Sequence, residues 1–195
     1  MATWSKASLI VAAIFLLGSA SVAHGRSRRF IRSYDEPCKE MTLYFHDIIY
    51  DFSNSTSNST SAVVAKPTAL LQSMNTSVFG TMVVFNDPMT EGKALPPSLE
   101  ETTVRAQGLY FYNKKQSPAD AWFAFSIVFN STAHRGTLNL MGADLVSETT
   151  RDFSVVGGTG DFFMARGVAS VCGDAVEGFT YFRLQMDIKL YECYV

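Results

Sequence analysis

The chain has few of the side chains that bind metals or carry redox chemistry. It contains three His and three Cys among 195 residues, and only His46 and His134 lie beyond the N-terminal segment discussed below. Two His without a Cys cluster give no recognisable zinc, copper or haem site. Neither G-x-S-x-G nor H-E-x-x-H occurs. We therefore expect no metal and no cofactor, and we expect any catalysis to be acid–base in kind or simple templating.

Charge is also scarce. Charged residues make up 17% of the chain, against about 25% in an average soluble domain, which argues against disordered tails and coiled coils. The formal net charge of −2 argues against a nucleic-acid partner. No apolar run approaches the roughly 20 residues that cross a bilayer, so we expect no membrane span. Aromatic residues, by contrast, reach 13% and favour β-structure with an aromatic-rich interior.

The N-terminal region and four sequons indicate secretion. Residues 1–25 contain Lys6, a short apolar run over 9–17 and then small residues, a pattern that predicts a secretory signal peptide rather than an uncleaved anchor. Residues 26–37 carry four Arg and predict a solvated basic arm before one domain at 38–195. Asn-x-Ser/Thr sequons predict an extracellular glycoprotein with carbohydrate at Asn54, Asn58, Asn75 and Asn130.

The three cysteines fit an oxidising compartment. Cys38 opens the predicted domain and Cys193 lies near its end. Pairing them would close a loop of about 155 residues, worth roughly 5 kcal/mol in the chain-entropy model. Cys172 would then be left over, and its neighbours Val168 and Val171 favour a packed thiol over an intermolecular bridge or a nucleophile.

Hydrophobic alternation predicts an all-β domain. Phe182, Leu184, Met186, Ile188 and Leu190 alternate with mostly polar residues, which indicates a strand with one buried face. Similar short runs predict strands at 41–50, 61–66, 79–86, 103–113, 121–129, 135–143, 151–156, 161–171 and 181–191. We interpret Gly157–Gly160 as a tight turn between two of them. Eight or nine such strands favour a closed antiparallel barrel or a sandwich, and an eight-stranded barrel can hold one small ligand.

Three ionisable groups occupy apolar strand contexts. Asp47 lies on the face of Leu43 and Phe45, where alternation predicts an apolar residue, so its pKa should rise. Asp144 and Arg151 end and begin neighbouring strands and could meet at a hairpin mouth. An ordinary ion pair or turn cap is the alternative for each. Buried carboxyls in an aromatic cavity would suit proton transfer to a phenolic or quinonoid ligand.

Longer motifs resemble one family over nearly the whole mature chain. They are similar to plant dirigent proteins, in particular the pinoresinol-forming group. The matching blocks are Pro37–Lys39, Tyr44–Ile48, Arg105–Tyr112, Phe129–Thr132, Gly142–Asp144, Thr150–Asp152, Val155–Gly167 and Leu190–Tyr194.

This resemblance implies an eight-stranded antiparallel barrel with a central ligand cavity, forming a homotrimer in the apoplast. It also implies a disulfide between Cys38 and Cys193 and no oxidising centre. An external laccase or peroxidase would make coniferyl alcohol radicals, and the pocket would orient two of them for 8–8′ coupling. The product would be pinoresinol in lignan biosynthesis, and Met141–Leu145 and Met186–Lys189 favour the (−) enantiomer.

The resemblance also implies roles for single residues. Asp47, Asp144 and Arg151 match polar pocket residues, Tyr110 the pocket tyrosine and Phe182 an aromatic wall. A carboxylic acid would protonate the bis-quinone methide and assist ring closure, with Arg151 orienting or tuning it.

Two segments depart from the family pattern. The stretch 172–174 lacks a Thr that many members carry, so a pocket hydroxyl is missing, and 86–101 looks like an extended loop at a barrel end.

The alternatives to the coupling function are a dirigent-like enzyme that closes a pterocarpan ring through a quinone methide, and a structural or defence-related wall protein.

Overall fold

Alternating apolar and polar side chains produce strands along almost all of the chain that the computed structural model describes, which is residues 29–30, 36–49, 59–66, 79–117, 119–178 and 180–194. Neighbouring strands in this part pair in antiparallel fashion. The strands are β1 Arg29–Phe30, β2 Lys39–Ile48, β3 Ser61–Ala65, β4 Met82–Thr90, β5 Val104–Tyr112, β6 Ala121–Asn130, β7 Arg135–Asp144, β8 Thr150–Gly160, β9 Arg166–Glu177 and β10 Tyr181–Tyr194.

Eight of these strands form a closed barrel. Their order around the ring is β10–β2–β4–β5–β6–β7–β8–β9, and β9 pairs with β10 to complete it. Strand β1 pairs with the end of β10, and β3 pairs with β4. Closure leaves no unpaired sheet edge around the ring. The predicted eight-stranded antiparallel barrel is confirmed, and the sandwich alternative is wrong.

One end of the barrel, which we call the disulfide end, is densely packed. The disulfide there joins Cys38 to Cys193, whose Cα atoms are 6.3 Å apart. Phe162 packs on Phe129 with ring centroids 4.5 Å apart, and both rings are buried. The inward residues of β10 nearest this end, among them Leu190, are also buried, as their alternation predicts. The disulfide and the contacting rings of Phe129 and Phe162 therefore close this end of the barrel.

The turn at the disulfide end lies later than expected. Strand β8 continues to Gly160, and the turn occupies Asp161–Met164, so the predicted tight turn over Gly157–Gly160 is wrong. A Cβ atom at Gly158 would collide with the carbonyl oxygens of Phe162 and Thr137. This glycine therefore permits the turn to fold back closely onto the strand, and it does not itself make the bend.

Strand β4 also extends further than expected, through Pro88 to Thr90, so the predicted loop over 86–101 begins only after Thr90. Near its start β4 pairs with β3 at Phe85, and near its end it pairs with β2 at Met89. Pro88 lies between these two partners, where a missing backbone N–H costs no ladder bond. We call this divergence of β2 and β4 around Ser59–Ser61 the fork.

Several predicted features lie outside the described residues. These are the signal peptide, most of the basic arm, and the sequons at Asn54, Asn58 and Asn75. Asn130 is described and lies exposed at the end of β6. Among the described residues, no helix has both the length and the apolar character needed to cross a membrane.

Candidate functional site

The end of the barrel opposite the disulfide holds ionisable groups, and we call it the carboxylate end. Asp144 closes β7 and Arg151 follows the start of β8, both on the inward-facing parity of their strands. Arg151 donates its Nε–H to Asp144 Oδ1 at 2.6 Å, and the two side chains are only 11% and 16% exposed. The predicted contact at a hairpin mouth is therefore present, as a largely buried ion pair.

Asp47 lies at the same end, on the inward face of β2. It is directly opposite Phe182 of β10 in the strand register. The Ser61 hydroxyl donates to Asp47 Oδ1 at 3.2 Å. Burial raises the pKa of Asp47 to about 6, and the Ser61 hydrogen bond opposes that rise only in part. The expected rise is thus present, because an apolar interior disfavours the charged form.

A second buried carboxyl, Asp87 of β4, was not predicted. It is 1% exposed, and neither of its oxygens has a hydrogen-bond partner among the described residues. Burial first, and then the charge of Asp47, raise the pKa of Asp87 well above its usual range, while Thr60 and Arg105 oppose the rise. Burial of this kind favours the protonated form of a carboxyl.

Two tyrosines of β5 lie among these acids. Tyr110 and Tyr112 meet edge to face with ring centroids 5.6 Å apart, and their hydroxyls share a hydrogen bond. Burial raises the pKa of both phenols, and the negative charge of Asp47 adds to the rise in each. Asp144 also raises the pKa of Tyr112. The tyrosines therefore stay protonated and can donate hydrogen bonds between the two acidic groups.

Aromatic rings surround this polar group on the barrel side. Tyr110 stacks on Phe123 with centroids 4.7 Å apart and planes 20° from parallel. Phe85 contacts both of these rings at about the same separation, 6.1 and 6.0 Å. Tyr110, Phe123 and Phe182 have inward parity yet remain only half-buried. The site therefore combines flat apolar walls with protonated oxygens.

Comparisons with known proteins agree with this geometry. Residues 38–191 match the family described as Dirigent-like protein. The chain belongs to the dirigent family. It is 48% identical to Dirigent protein 5 of Arabidopsis thaliana over 181 residues, 93% of each chain. It is 46% identical to a dirigent protein of Sinopodophyllum hexandrum over 179 residues, 90% of this chain and 89% of the relative.

A solved structure of the family has the same fold. The pterocarpan synthase dirigent protein GePTS1 superposes with a TM-score of 0.66 at 26% identity, covering 80% of this chain and 84% of that one. The predicted site residues of this dirigent protein all face inward by strand parity at the carboxylate end, and they are Asp47, Tyr110, Asp144, Arg151 and Phe182. Asp87 and Tyr112 lie close to them. Cys172 lies elsewhere, as a free, half-buried thiol on the opposite parity from Val171.

Proposed function

We propose that this dirigent protein binds two coniferyl alcohol radicals and orients them for 8–8′ coupling to pinoresinol, with a preference for the (−) enantiomer. An external laccase or peroxidase supplies the radicals, so the protein needs no oxidising group. The two unpaired electrons form the new carbon–carbon bond and leave a bis-quinone methide. The flat walls formed by Tyr110, Phe123 and Phe182 suit two phenolic rings.

The acidic groups suit the cyclisation that follows coupling. Each ring closes when a side-chain hydroxyl attacks the quinone methide carbon, while the carbonyl oxygen gains a proton and becomes a phenol. Asp47 is protonated below pH about 6 and can give that proton. Asp144, which is ion-paired with Arg151, can accept the proton that the attacking hydroxyl loses. The two transfers balance, because cyclisation is an isomerisation.

One observation carries this proposal. An inward-facing carboxyl with a pKa near 6 lies opposite Phe182, and a buried ion pair at the same end of the barrel supplies a second carboxylate. A carboxyl with a raised pKa beside a second, ion-paired carboxyl suits general acid–base catalysis. A purely structural wall protein has no need of either group on an inward face.

The test uses coniferyl alcohol and a laccase, with and without the protein, and resolves the pinoresinol enantiomers by chiral chromatography. We expect racemic product from laccase alone and an excess of one enantiomer when the protein is added. Heat-denatured protein is the control for nonspecific effects. Racemic product in both native and control reactions would overturn the proposal and leave the structural-protein alternative.

A ring-closing enzyme is the second candidate, favoured by the similarity to the pterocarpan synthase dirigent protein GePTS1. A protonated Asp47 could assist loss of water from an isoflavanol to give a quinone methide, and the same barrel walls could hold it during closure. This activity requires no oxidant. Turnover of an isoflavanol without laccase, together with racemic pinoresinol in the first assay, would favour this candidate.

We also propose that the protein is a secreted glycoprotein that forms a homotrimer. Support for an association surface comes from the outer face of the barrel, where an apolar row crosses four neighbouring strands: Val84, Leu109, Ala124 and Met141. Val84 and Met141 are 37% and 39% exposed, which is unusual for large apolar side chains in a row. The exposed Asn130 is available for carbohydrate.

A further inference from the structure

Two carboxyls lie on the inner face of the barrel at the fork, close enough for the charge of Asp47 to raise the pKa of Asp87. Phe45 pairs with Met89 across β2 and β4. Asp47 lies two residues after Phe45 in β2 and Asp87 lies two residues before Met89 in β4, both on the inward parity, where the strands diverge around Ser59–Ser61. The Thr60 backbone bridges the gap, donating to Ile48 and accepting from Asn86.

We infer that Asp87 is a positioning residue that acts through Asp47, remaining a neutral carboxylic acid and donating a hydrogen bond to the Asp47 carboxylate. The inference rests on the proposed function only for the identity of the molecule that takes the Asp47 proton. Asp87 itself is 1% exposed, so it reaches no ligand and works through its neighbour.

Only the Thr60 hydroxyl and the Arg105 guanidinium favour the charged form of Asp87, and burial and the charge of Asp47 outweigh them. Strand β3 contributes no titratable side chain, and β2 contributes the acidic Asp47. On β5, Tyr110 is a neutral phenol, and the Arg105 guanidinium is already engaged by Asn86 and the Leu99 carbonyl. An ionised Asp87 would therefore be a buried charge with no ion pair among the described residues, which is costly.

The unsatisfied oxygens of Asp87 favour a hydrogen bond between Asp87 and Asp47. Both of its oxygens lack a hydrogen-bond partner among the described residues, and a buried polar group without a partner costs free energy. Ser61 holds one oxygen of the Asp47 carboxyl from the β3 side. When Asp47 ionises, a charge-assisted bond from the Asp87 hydroxyl satisfies both groups at once.

The proton balance is simple. Asp47 gives its proton to the ligand carbonyl oxygen and becomes a carboxylate. Asp87 keeps its own proton and directs it at the new negative charge, so no proton leaves the pair beyond the one delivered. The proton that the ligand hydroxyl loses goes to Asp144, and exchange with solvent restores the protonation of both carboxyls after the product leaves. Asp87 thus makes Asp47 a stronger acid than burial alone would allow.

The test measures the Asp47 carboxyl directly, in the absence of any substrate. Protein labelled with ¹³C at the aspartate carboxyls is titrated by NMR, with the Asp47 signal assigned from Asp47→Asn. In wild type we expect a midpoint near 6. Asp87→Leu removes the donor and should raise the Asp47 midpoint by about one to two pH units. Asp87→Asn retains an N–H donor and should leave the midpoint closer to that of wild type.

Each other outcome contradicts the inference. A lower Asp47 midpoint in Asp87→Leu would mean that Asp87 is ionised and repels Asp47. An unchanged midpoint would mean that the two groups make no contact. If Asp87→Leu does not fold, the wild-type Asp87 signal decides, because it must remain protonated at neutral pH. An ionised Asp87 there would overturn the inference.

A second measurement links the pair to chemistry. If the coupling assay gives an enantiomeric excess, its fall with rising pH should begin at higher pH in Asp87→Leu than in wild type, while Asp87→Asn follows wild type. A role limited to folding would lower the excess without moving this profile, and that result would overturn the positioning role. A racemic wild-type reaction would contradict the proposed function alone, because the NMR titration needs no ligand.

Discussion

Arg151 donates its Nε–H to Asp144 at 2.6 Å across the turn that joins β7 to β8. Both side chains are largely buried, so water stabilises neither charge well and each charge depends on its partner for stabilisation. Removing one partner leaves an uncompensated charge, whereas removing both leaves a neutral site.

We therefore expect Arg151→Gln to lower the free energy of unfolding by about 3 kcal/mol. The double variant Asp144→Asn/Arg151→Gln should recover part of that loss. Urea unfolding followed by fluorescence measures both values. Equal stability of the single and double variants would show that the pair is solvated and carries little energy.

Asp144→Ala should abolish stereocontrol in the laccase assay. The variant leaves the largely buried Arg151 without its partner at the end of the barrel that orients the two radicals, so the enantiomeric excess should fall to near zero while the oxidase still consumes coniferyl alcohol. The matched control is Asp152→Ala, since Asp152 is exposed on the outer face of β8 and accepts a hydrogen bond from Ser170. Retained excess in Asp144→Ala would contradict the role given to this residue.

The same alternation rule found one buried acid and missed the other. Asp47 interrupts the apolar face of Leu43 and Phe45, and its buried position follows from that pattern. Asp87 interrupts the face of Val83, Phe85 and Met89 in the same way. The predicted strand 79–86 stops before Asp87, because a proline such as Pro88 favours the end of a strand.

The fork explains why a proline could not be interpreted correctly from local sequence. A proline is tolerated in β4 only because the partner strand changes there, and that change involves Ser59–Ser61, more than 20 residues away. Long-range pairing of this kind leaves no periodic signal. The tight turn predicted over Gly157–Gly160 is wrong for a similar reason, because the close contact of Gly158 with the following turn depends on the folded structure.

Asp47 and His46 are neighbours in β2 with opposite effects on the pH dependence of stability. The pKa of Asp47 is raised to about 6 by burial, so the folded protein holds a proton that the unfolded chain releases. This contribution to stability falls as pH rises from about 4 to 6. The pKa of His46 is lowered to about 4 by burial and by Arg183, so the unfolded chain binds the extra proton. This second contribution grows as pH rises from about 4 to 6.5.

Single variants should separate these two contributions. The unfolding free energy of Asp47→Asn, taken as a difference from wild type, should increase with pH between about 4 and 6. The same difference for His46→Gln should decrease with pH. Each change should reach at most about 3 kcal/mol over the range. Urea unfolding at several pH values measures the slope of the unfolding free energy against pH, and this slope is independent of any constant loss of stability. Parallel profiles for all three proteins would contradict the assigned shifts.

The outer apolar row should control association if the protein forms the proposed homotrimer. Leu109 and Met141 lie on β5 and β7 with only Ala124 between them, so a Lys at either position places a charge within the row. We expect Met141→Lys to shift the protein toward monomer in sedimentation measurements. Val176→Lys is the control, because Val176 is 61% exposed on β9, away from the row. A Met141→Lys variant that sediments like wild type would exclude this row as the interface, because a buried unpaired lysine in a subunit contact would weaken association.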